Sequence, residues 1–132
     1  MSAQILVVDD EPDVADLFRQ QFRRELRSGR LKMDFALSVA EALGLVAVAE
    51  EGSLIFIFSD INMPGETGFQ LLPKVRALKP NVPIVLITAY GDAETRRKAS
   101  EGGALDLVTK PIDFGALKQR VDQRLAELGQ VS

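Results

Sequence analysis

The chain has 132 residues, a formal net charge of −3 and a balance of 46% hydrophobic to 27% charged residues, which fits one globular domain with a sizeable core. It contains neither cysteine nor histidine, so disulfides, thiolate nucleophiles, imidazole bases and the usual zinc sites are excluded, and any chemistry falls to carboxylates, hydroxyls and amines. The slight negative charge argues against direct nucleic-acid binding, and the N-terminus reads as neither a signal peptide nor a membrane span, so a cytoplasmic setting is expected.

Taken in order, residues 5–8 form a short apolar run closed by Asp9, Asp10 and Glu11, with Pro12 suited to the first position of a helix. In that helix Val14, Leu17, Phe18, Phe22 and Leu26 recur at helical spacing, while Arg19, Arg23, Arg24 and Arg27 avoid the stripe and read as a solvated face. Residues 28–32 make a polar turn, after which Met33, Phe35 and Leu37 alternate with Asp34 and Ala36 as a half-buried strand. Ser38 and Glu41 have the spacing of a capping box, opening a helix whose inward residues are Val39, Ala42, Leu43 and Val46, and residues 50–53 end it.

The stretch at 54–65, LIFIFSDINMPG, reads as a buried strand that delivers one exposed carboxylate, Asp60, into a loop. A third helix is expected over 67–78, with Phe69, Leu71, Leu72 and Val75 inward and a kink at Pro73. Residues 84–87 are another continuous apolar run, ended by Thr88, Ala89, Tyr90 and Gly91. Asp92 caps a helix to Ser100 whose inward candidates are little more than Ala93 and Ala99. Leu105 and Leu107 alternate with Asp106 in a fifth strand ending at Lys110 and Pro111. Asp113 then caps a last helix carrying Phe114, Leu117, Val121, Leu125 and Leu128, stopped by Gly129.

Five strands alternating with five helices predict an α/β fold: a doubly wound (βα)5 three-layer sandwich over a parallel sheet. The runs that are apolar throughout belong in the middle of the sheet and the alternating ones at its edges, which gives the flavodoxin-like order 2-1-3-4-5. The expectation is a single domain over 1–132, with a core at about 4–129 and no output domain in the chain.

In a sheet of this order, ligands bind beyond the carboxyl ends of the strands, in the crevice between the first and third. There the sequence gathers Asp9, Asp10 and Asp60 with Thr88 and Lys110. Two carboxylates about 4 Å apart repel by roughly 4 kcal/mol at an effective dielectric near 20, so three together call for a cation. Mg2+ suits such oxygen ligands, with a backbone carbonyl from Asn62 as a further donor. A carboxylate can also carry a phosphoryl group as an acyl phosphate, with Lys110, Thr88 and loop N–H groups neutralising the charge that develops. The alternative is that Lys110 only neutralises the acidic cluster and Thr88 only caps a turn.

VVDDEPD at 7–13, SDINMPG at 59–65, ITAYGD at 87–92 and TKP at 109–111 resemble, in order and spacing, the receiver domain of two-component response regulators. The resemblance covers nearly the whole chain. It implies a phosphoacceptor signalling switch rather than an enzyme, in which Asp60 takes a phosphoryl group from a phosphohistidine of a sensor histidine kinase or histidine phosphotransfer protein. It further implies Mg2+ held by Asp10, Asp60 and the Asn62 carbonyl, with Asp9 acting through water and Glu11 in an outer shell. Thr88 and Lys110 would contact the phosphoryl group, the bond from Lys110 to Pro111 would be cis, and Asn62 and Tyr90 would tune hydrolysis. Leu107 stands where the family commonly has an aromatic switch residue, so readout through packing of the helix after Asp92 is expected within a shift of the 88–110 region.

Two other readings stay open on the residues alone. One is an aspartate-dependent phosphatase, although Asn62 stands where such enzymes place a second aspartate; the other is an interaction module that no longer takes phosphate. The expected partners are the phosphodonor protein, a downstream output domain or effector, and a second copy through the 92–129 face, with no nucleic acid and no membrane.

Overall fold

The structure, a computed structural model, describes residues 3–128. Five parallel strands, β1 (Ala3–Val8), β2 (Leu31–Ala36), β3 (Leu54–Asp60), β4 (Ile84–Thr88) and β5 (Asp106–Thr109), form one sheet in the order β2-β1-β3-β4-β5. The order is the expected one, for the expected reason. All seven residues of β3 and all five of β4 are buried, whereas β2 and β5, at the edges, alternate buried with half-buried or exposed positions.

Six helices cover the two faces: α1 (Pro12–Gln21), α2 (Arg23–Ser28), α3 (Val39–Val48), α4 (Gly68–Leu78), α5 (Ala93–Glu101) and α6 (Phe114–Glu127). The sheet divides its side chains between two cores. Leu6, Val8, Ile57, Ile84 and Leu86 pack with α3, α4 and Ala99 of α5, while Ile5, Val7, Phe58, Val85 and Ile87 pack with α1 and α6. The fold is the flavodoxin-like three-layer sandwich.

Several boundaries differ from those read in the sequence. The first helix is two helices, because Phe22 leaves helical geometry at φ −105°, ψ 21° while its ring stays buried, stacked at 6.3 Å on Phe18. Beyond this break Leu26 is half-buried against the core as expected, but Glu25 beside it is buried more deeply, with the Lys118 ammonium 3.8 Å from its carboxylate. Before the break, Leu17 is 45% exposed rather than inward. Strand β2 starts two residues early, at Leu31, since Leu31 and Lys32 pair with Ala3 and Gln4, and Leu37 lies outside the strand in solvent. Leu105 likewise precedes β5 and is exposed, and so are Ala93 and Leu128. Helix α4 runs unbroken through Pro73. The stop assigned to Gly129 lies outside the described residues.

The caps follow the expected chemistry. Ser38 accepts the Glu41 N–H at 3.2 Å, although the Glu41 carboxylate returns to the N–H of Leu37 rather than to that of Ser38. Asp92 accepts from Thr95 at 2.8 Å and Asp113 from Ala116 at 3.1 Å. Arg23, Arg24 and Arg27 are exposed, and Arg19 lies over the Phe35 ring at 4.3 Å.

Phe18 joins α1, α6 and the sheet, its ring centroid 5.2 Å from Phe114 and 5.8 Å from Phe58. Phe18→Ala is expected to lower stability by about 3–5 kcal/mol, which urea unfolding followed by circular dichroism would measure. A loss below about 1 kcal/mol would contradict its place at the centre of that core.

Candidate functional site

Four strands end side by side, and each delivers polar groups to one crevice. Asp9 and Asp10 follow β1, Asp60 is the last residue of β3, Thr88 is the last of β4 and Lys110 follows β5. The ladders fix these positions: β3 pairs with β4 as far as Asp60↔Ile87, and β4 with β5 as far as Thr88↔Thr109. Residues 50 apart in sequence thereby meet, with Lys110 Nζ 3.5 Å from Asp60 Oδ2 and 3.8 Å from Asp9 Oδ2.

The carboxylates are held by the turns that follow them. Asp9 Oδ1 accepts the N–H of Glu11 at 2.9 Å, and the main-chain N–H of Asp9 donates to the Ala36 carbonyl at 3.0 Å. Asp60 Oδ1 accepts the N–H of Asn62 at 3.3 Å. Asp60 is 4% exposed and Asp9 6%, which corrects the expectation of an exposed acceptor: β3 is buried to its last residue, and the 62–67 loop does not carry Asp60 out of the sheet.

Burial pushes the Asp60 carboxyl above the usual carboxylate range, against the opposing pull of the Lys110 ammonium and the Asn62 N–H. Asp9 is raised in the same way, first by burial and then by the charge of Asp60, with the Glu11 N–H and Lys110 opposing. One oxygen from each of Asp9, Asp10 and Asp60 lies within 4.8 Å of the others. A single ammonium, itself partly exposed, cannot neutralise three such groups. The donor set therefore fits a hard divalent cation bound through oxygen.

On the other side of the crevice Thr88 is 1% exposed, and its hydroxyl oxygen accepts the N–H of Tyr90 at 3.1 Å. The Lys110 N–H donates to the Thr88 carbonyl at 2.8 Å, and the Lys110–Pro111 peptide is cis as expected. The remaining site candidates lie further out or further in. Glu11, Asn62 and Tyr90 are exposed, Tyr90 to 70%, while Leu107 is 7% exposed within the apolar cluster beneath α4 and α5. Two residues without an assigned role also bond the backbone at Asp60 and Ile61. The buried Ser59 hydroxyl donates to the Asp60 carbonyl at 3.0 Å, and the Gly68 N–H donates to the Ile61 carbonyl at 3.0 Å. Their signals were a hydroxyl inside an apolar run and a glycine opening a helix rather than following one.

A family described as the response regulator receiver domain matches residues 5–122. Among known proteins, the chain is 36% identical over 118 residues to the response regulator protein PilR of Pseudomonas aeruginosa, a match covering 88% of this chain and 24% of that one. It is 35% identical over 131 residues to FleR of the same organism, covering 99% and 26%, and 33% identical to the DNA-binding transcriptional regulator NtrC of Rhizobium meliloti, covering 95% and 24%. The chain thus spans about a quarter of the length of these relatives. In fold it is similar to a CheY-like receiver domain protein from Methanospirillum hungatei, with a TM-score of 0.82 at 24% identity over 96% of both chains. A two-component response regulator from Clostridium difficile has a TM-score of 0.84 at 22% identity, covering 96% of this chain and 98% of that one. With the family's motifs at four strand ends and its fold throughout, the chain belongs to the response regulator receiver domains of two-component systems.

Proposed function

We propose that Asp60 is the phosphoacceptor of a signalling switch and that the crevice around it is built for transfer from a phosphohistidine. The observation that carries this reading is the convergence of three carboxylates at the ends of β1 and β3, the two buried ones, Asp9 and Asp60, lying 3.8 Å and 3.5 Å from the Lys110 ammonium. A carboxylate oxygen of Asp60 attacks phosphorus, the P–N bond to the donor imidazole breaks, and the electron pair leaves on that nitrogen. Asp9, Asp10, Asp60 and the carbonyl of Asn62 would hold Mg2+, Asp9 through water. Bound there, the ion supplies positive charge to the phosphoryl oxygens. Lys110 offers an ammonium to one of those oxygens and Thr88 a hydroxyl donor, released from the Tyr90 N–H when it turns. Glu11 belongs to the outer shell, while Asn62 and Tyr90, exposed beside the crevice, set the access of water to the acyl phosphate.

The domain itself signals and is no enzyme in this reading. Its phosphodonor is a histidine kinase or phosphotransfer protein, and its output is a further domain or an effector. NtrC is described as a DNA-binding transcriptional regulator, which supports transcription as the output. A cytoplasmic setting suits those partners, and among the described residues no helix is long and apolar enough to cross a membrane. The readout passes through α5. Ala99 is its one buried residue, and it lies in the same apolar cluster as Leu107. Leucine supplies packing there but no ring to turn inward, so the response to phosphorylation is graded. A swing from 1:99 to 99:1 would require about 5.5 kcal/mol.

Incubation with a small acyl phosphate and Mg2+ is expected to add one phosphoryl group, seen by mass spectrometry of the intact protein, and Asp60→Asn to add none. Equal labelling of both proteins would sink the assignment. Amide exchange in α5 is expected to change on phosphorylation, and identical protection in the two states would rule out readout through this helix.

The carboxyls of Asp60 and Asp9 are raised in the folded protein, so they favour folding while protonated. That contribution is present below the unfolded value of about 3.9 and is lost as pH rises through the folded values. Asp60→Asn is therefore expected to stabilise the metal-free protein at pH 7, with a gain that shrinks towards pH ~4. Urea titrations at the two pH values measure this, and a variant less stable than the parent at pH 7 would contradict it. Mg2+ at ten times its Kd should add about 1.4 kcal/mol to the parent, and markedly less at the same concentration to Asp10→Asn.

A further inference from the structure

The β1–β3 register ends at Val8↔Ser59, one residue short of Asp60. At that point the carbonyl of Asp60 takes a hydrogen bond from the Ser59 hydroxyl at 3.0 Å, and Ser59 is fully buried. The same carbonyl is met from the chain beyond the loop. A methyl carbon built on Gly68 would stand 2.6 Å from the Asp60 oxygen and 3.0 Å from Ile61 Cα, whereas ordinary contact begins at 3.4 Å. Gly68 is also bonded there, its N–H reaching the Ile61 carbonyl at 3.0 Å, so the first residue of α4 closes the 62–67 loop onto the strand end where that loop began.

No left-handed backbone accounts for this glycine, since positive φ occurs at Gly29, Gly52, Gly65 and Gly103 only among the described residues. Its requirement is close approach of one backbone to another. The peptides gathered there carry both halves of the site. Asp60 bears the acceptor carboxylate, and Asn62, whose N–H binds that carboxylate, heads the loop that Gly68 closes.

We propose that Ser59 and Gly68 are positioning residues of the phosphorylation site: together they fix the main-chain carbonyl of Asp60, and through it the separation between the Asp60 carboxylate and the start of the 62–67 loop. The proposal rests on the reading of Asp60 as acceptor. Neither residue touches the phosphoryl group. Ser59 supplies the hydrogen bond that β1 stops short of making, and Gly68 lets the N-terminal turn of α4 seat against the strand. Any side chain at 68 must push that turn and the loop outward, because the atoms it meets are backbone and cannot swing aside. Reaction rates fall steeply with such displacements, about 100-fold for 1 Å.

Gly68→Ala tests this beside Gly44→Ala, where an added methyl meets nothing within 4 Å, and Val46→Ala, which removes a fully buried side chain from α3. Phosphorylation by a small acyl phosphate at saturating Mg2+, Mg2+ affinity and urea stability are measured for each. Gly68→Ala is expected to be phosphorylated about tenfold more slowly or worse and to bind Mg2+ several-fold more weakly. Gly44→Ala should match the parent in rate and affinity while gaining some helix stability, and Val46→Ala should lose stability but keep rate and affinity. Ser59→Ala, which creates no clash, should show the same two losses in smaller measure. A parental rate and affinity in Gly68→Ala, or losses no larger than those of Val46→Ala, would overturn the proposal. If Gly68→Ala does not fold, Ser59→Ala decides in its place, and its equality with the parent overturns the proposal as well. A parent that binds Mg2+ but takes no label would instead overturn the reading of Asp60, and the Mg2+ affinities would still decide this one.

Discussion

Like charges held together out of water are the constraint that shapes this molecule. Asp9 and Asp60 are almost fully buried at the ends of neighbouring strands, with Asp10 beside them and one lysine to offset the three. Left to themselves, carboxylates so placed would move apart or take up protons. They cannot move apart, because the positions are set by backbone: β1 and β3 pair through to Val8↔Ser59, and β3 and β4 through to Asp60↔Ile87, so the strain shows instead as carboxyls of Asp9 and Asp60 raised towards protonation. These strands are packed on both faces, so the unfavourable charge is carried where neighbouring side chains leave little room for displacement. A cation bound among the carboxylates would relieve that local destabilisation.

Helix α5 is anchored far more lightly, with Ala99 as its one buried residue. Its ion pairs, Glu94 with Arg97 and Lys98 and Arg97 with Glu101, are internal to the helix and exposed, so they support it without fastening it to the body. What fastens it lies at its C-terminal end. Arg76, in the last turn of α4, donates to the carbonyls of Val82 at 2.5 Å and Gly103 at 2.9 Å, tying the turn before β4 to the turn before β5. At the other end, Arg96 reaches only the Gly91 carbonyl of its own capping loop. A helix with one tied end and one lightly held end, the latter adjoining Thr88 and Tyr90, is suited to respond to small changes at the hydroxyl of Thr88 while its C-terminal turn stays in place.

The parts of this picture that were legible in the sequence share one property: local pattern and tertiary demand agree in them. Continuous apolar runs announced β1, β3 and β4, and side-chain caps announced the starts of α3, α5 and α6. What escaped notice depended on neighbours distant in the chain. The break at Phe22 goes with a ring buried in the core that α1 shares with α6, under the Lys118 ammonium at 5.9 Å, and the burial of Glu25 depends on the same Lys118, 93 positions away on α6. The early start of β2 is imposed by its ladder with β1, since Leu31 and Lys32 read as turn in isolation. Leu105 fits a strand by alternation and stands in solvent because β5 begins only where it can pair with Val85.

The site itself was readable for a reason that also concerns folding. In a half-buried strand, register is set by alternation, because a slip of one residue turns the apolar face outward. Strand β3 has no such marker: both of its faces are buried, and its apolar residues would tolerate a shift along the ladder. The charges at the ends remove that freedom. Slipping β3 inward would draw Asp60 deeper among apolar side chains, and slipping it outward would separate Asp60 from Lys110 and pull Gly68 off the strand end. Asp9 and Asp10 mark the end of β1 in the same way. The residues that gather the chemistry are thus also those that specify where each central strand stops, which is why a sequence without alternation still discloses its register, and why the strand ends meet in one crevice.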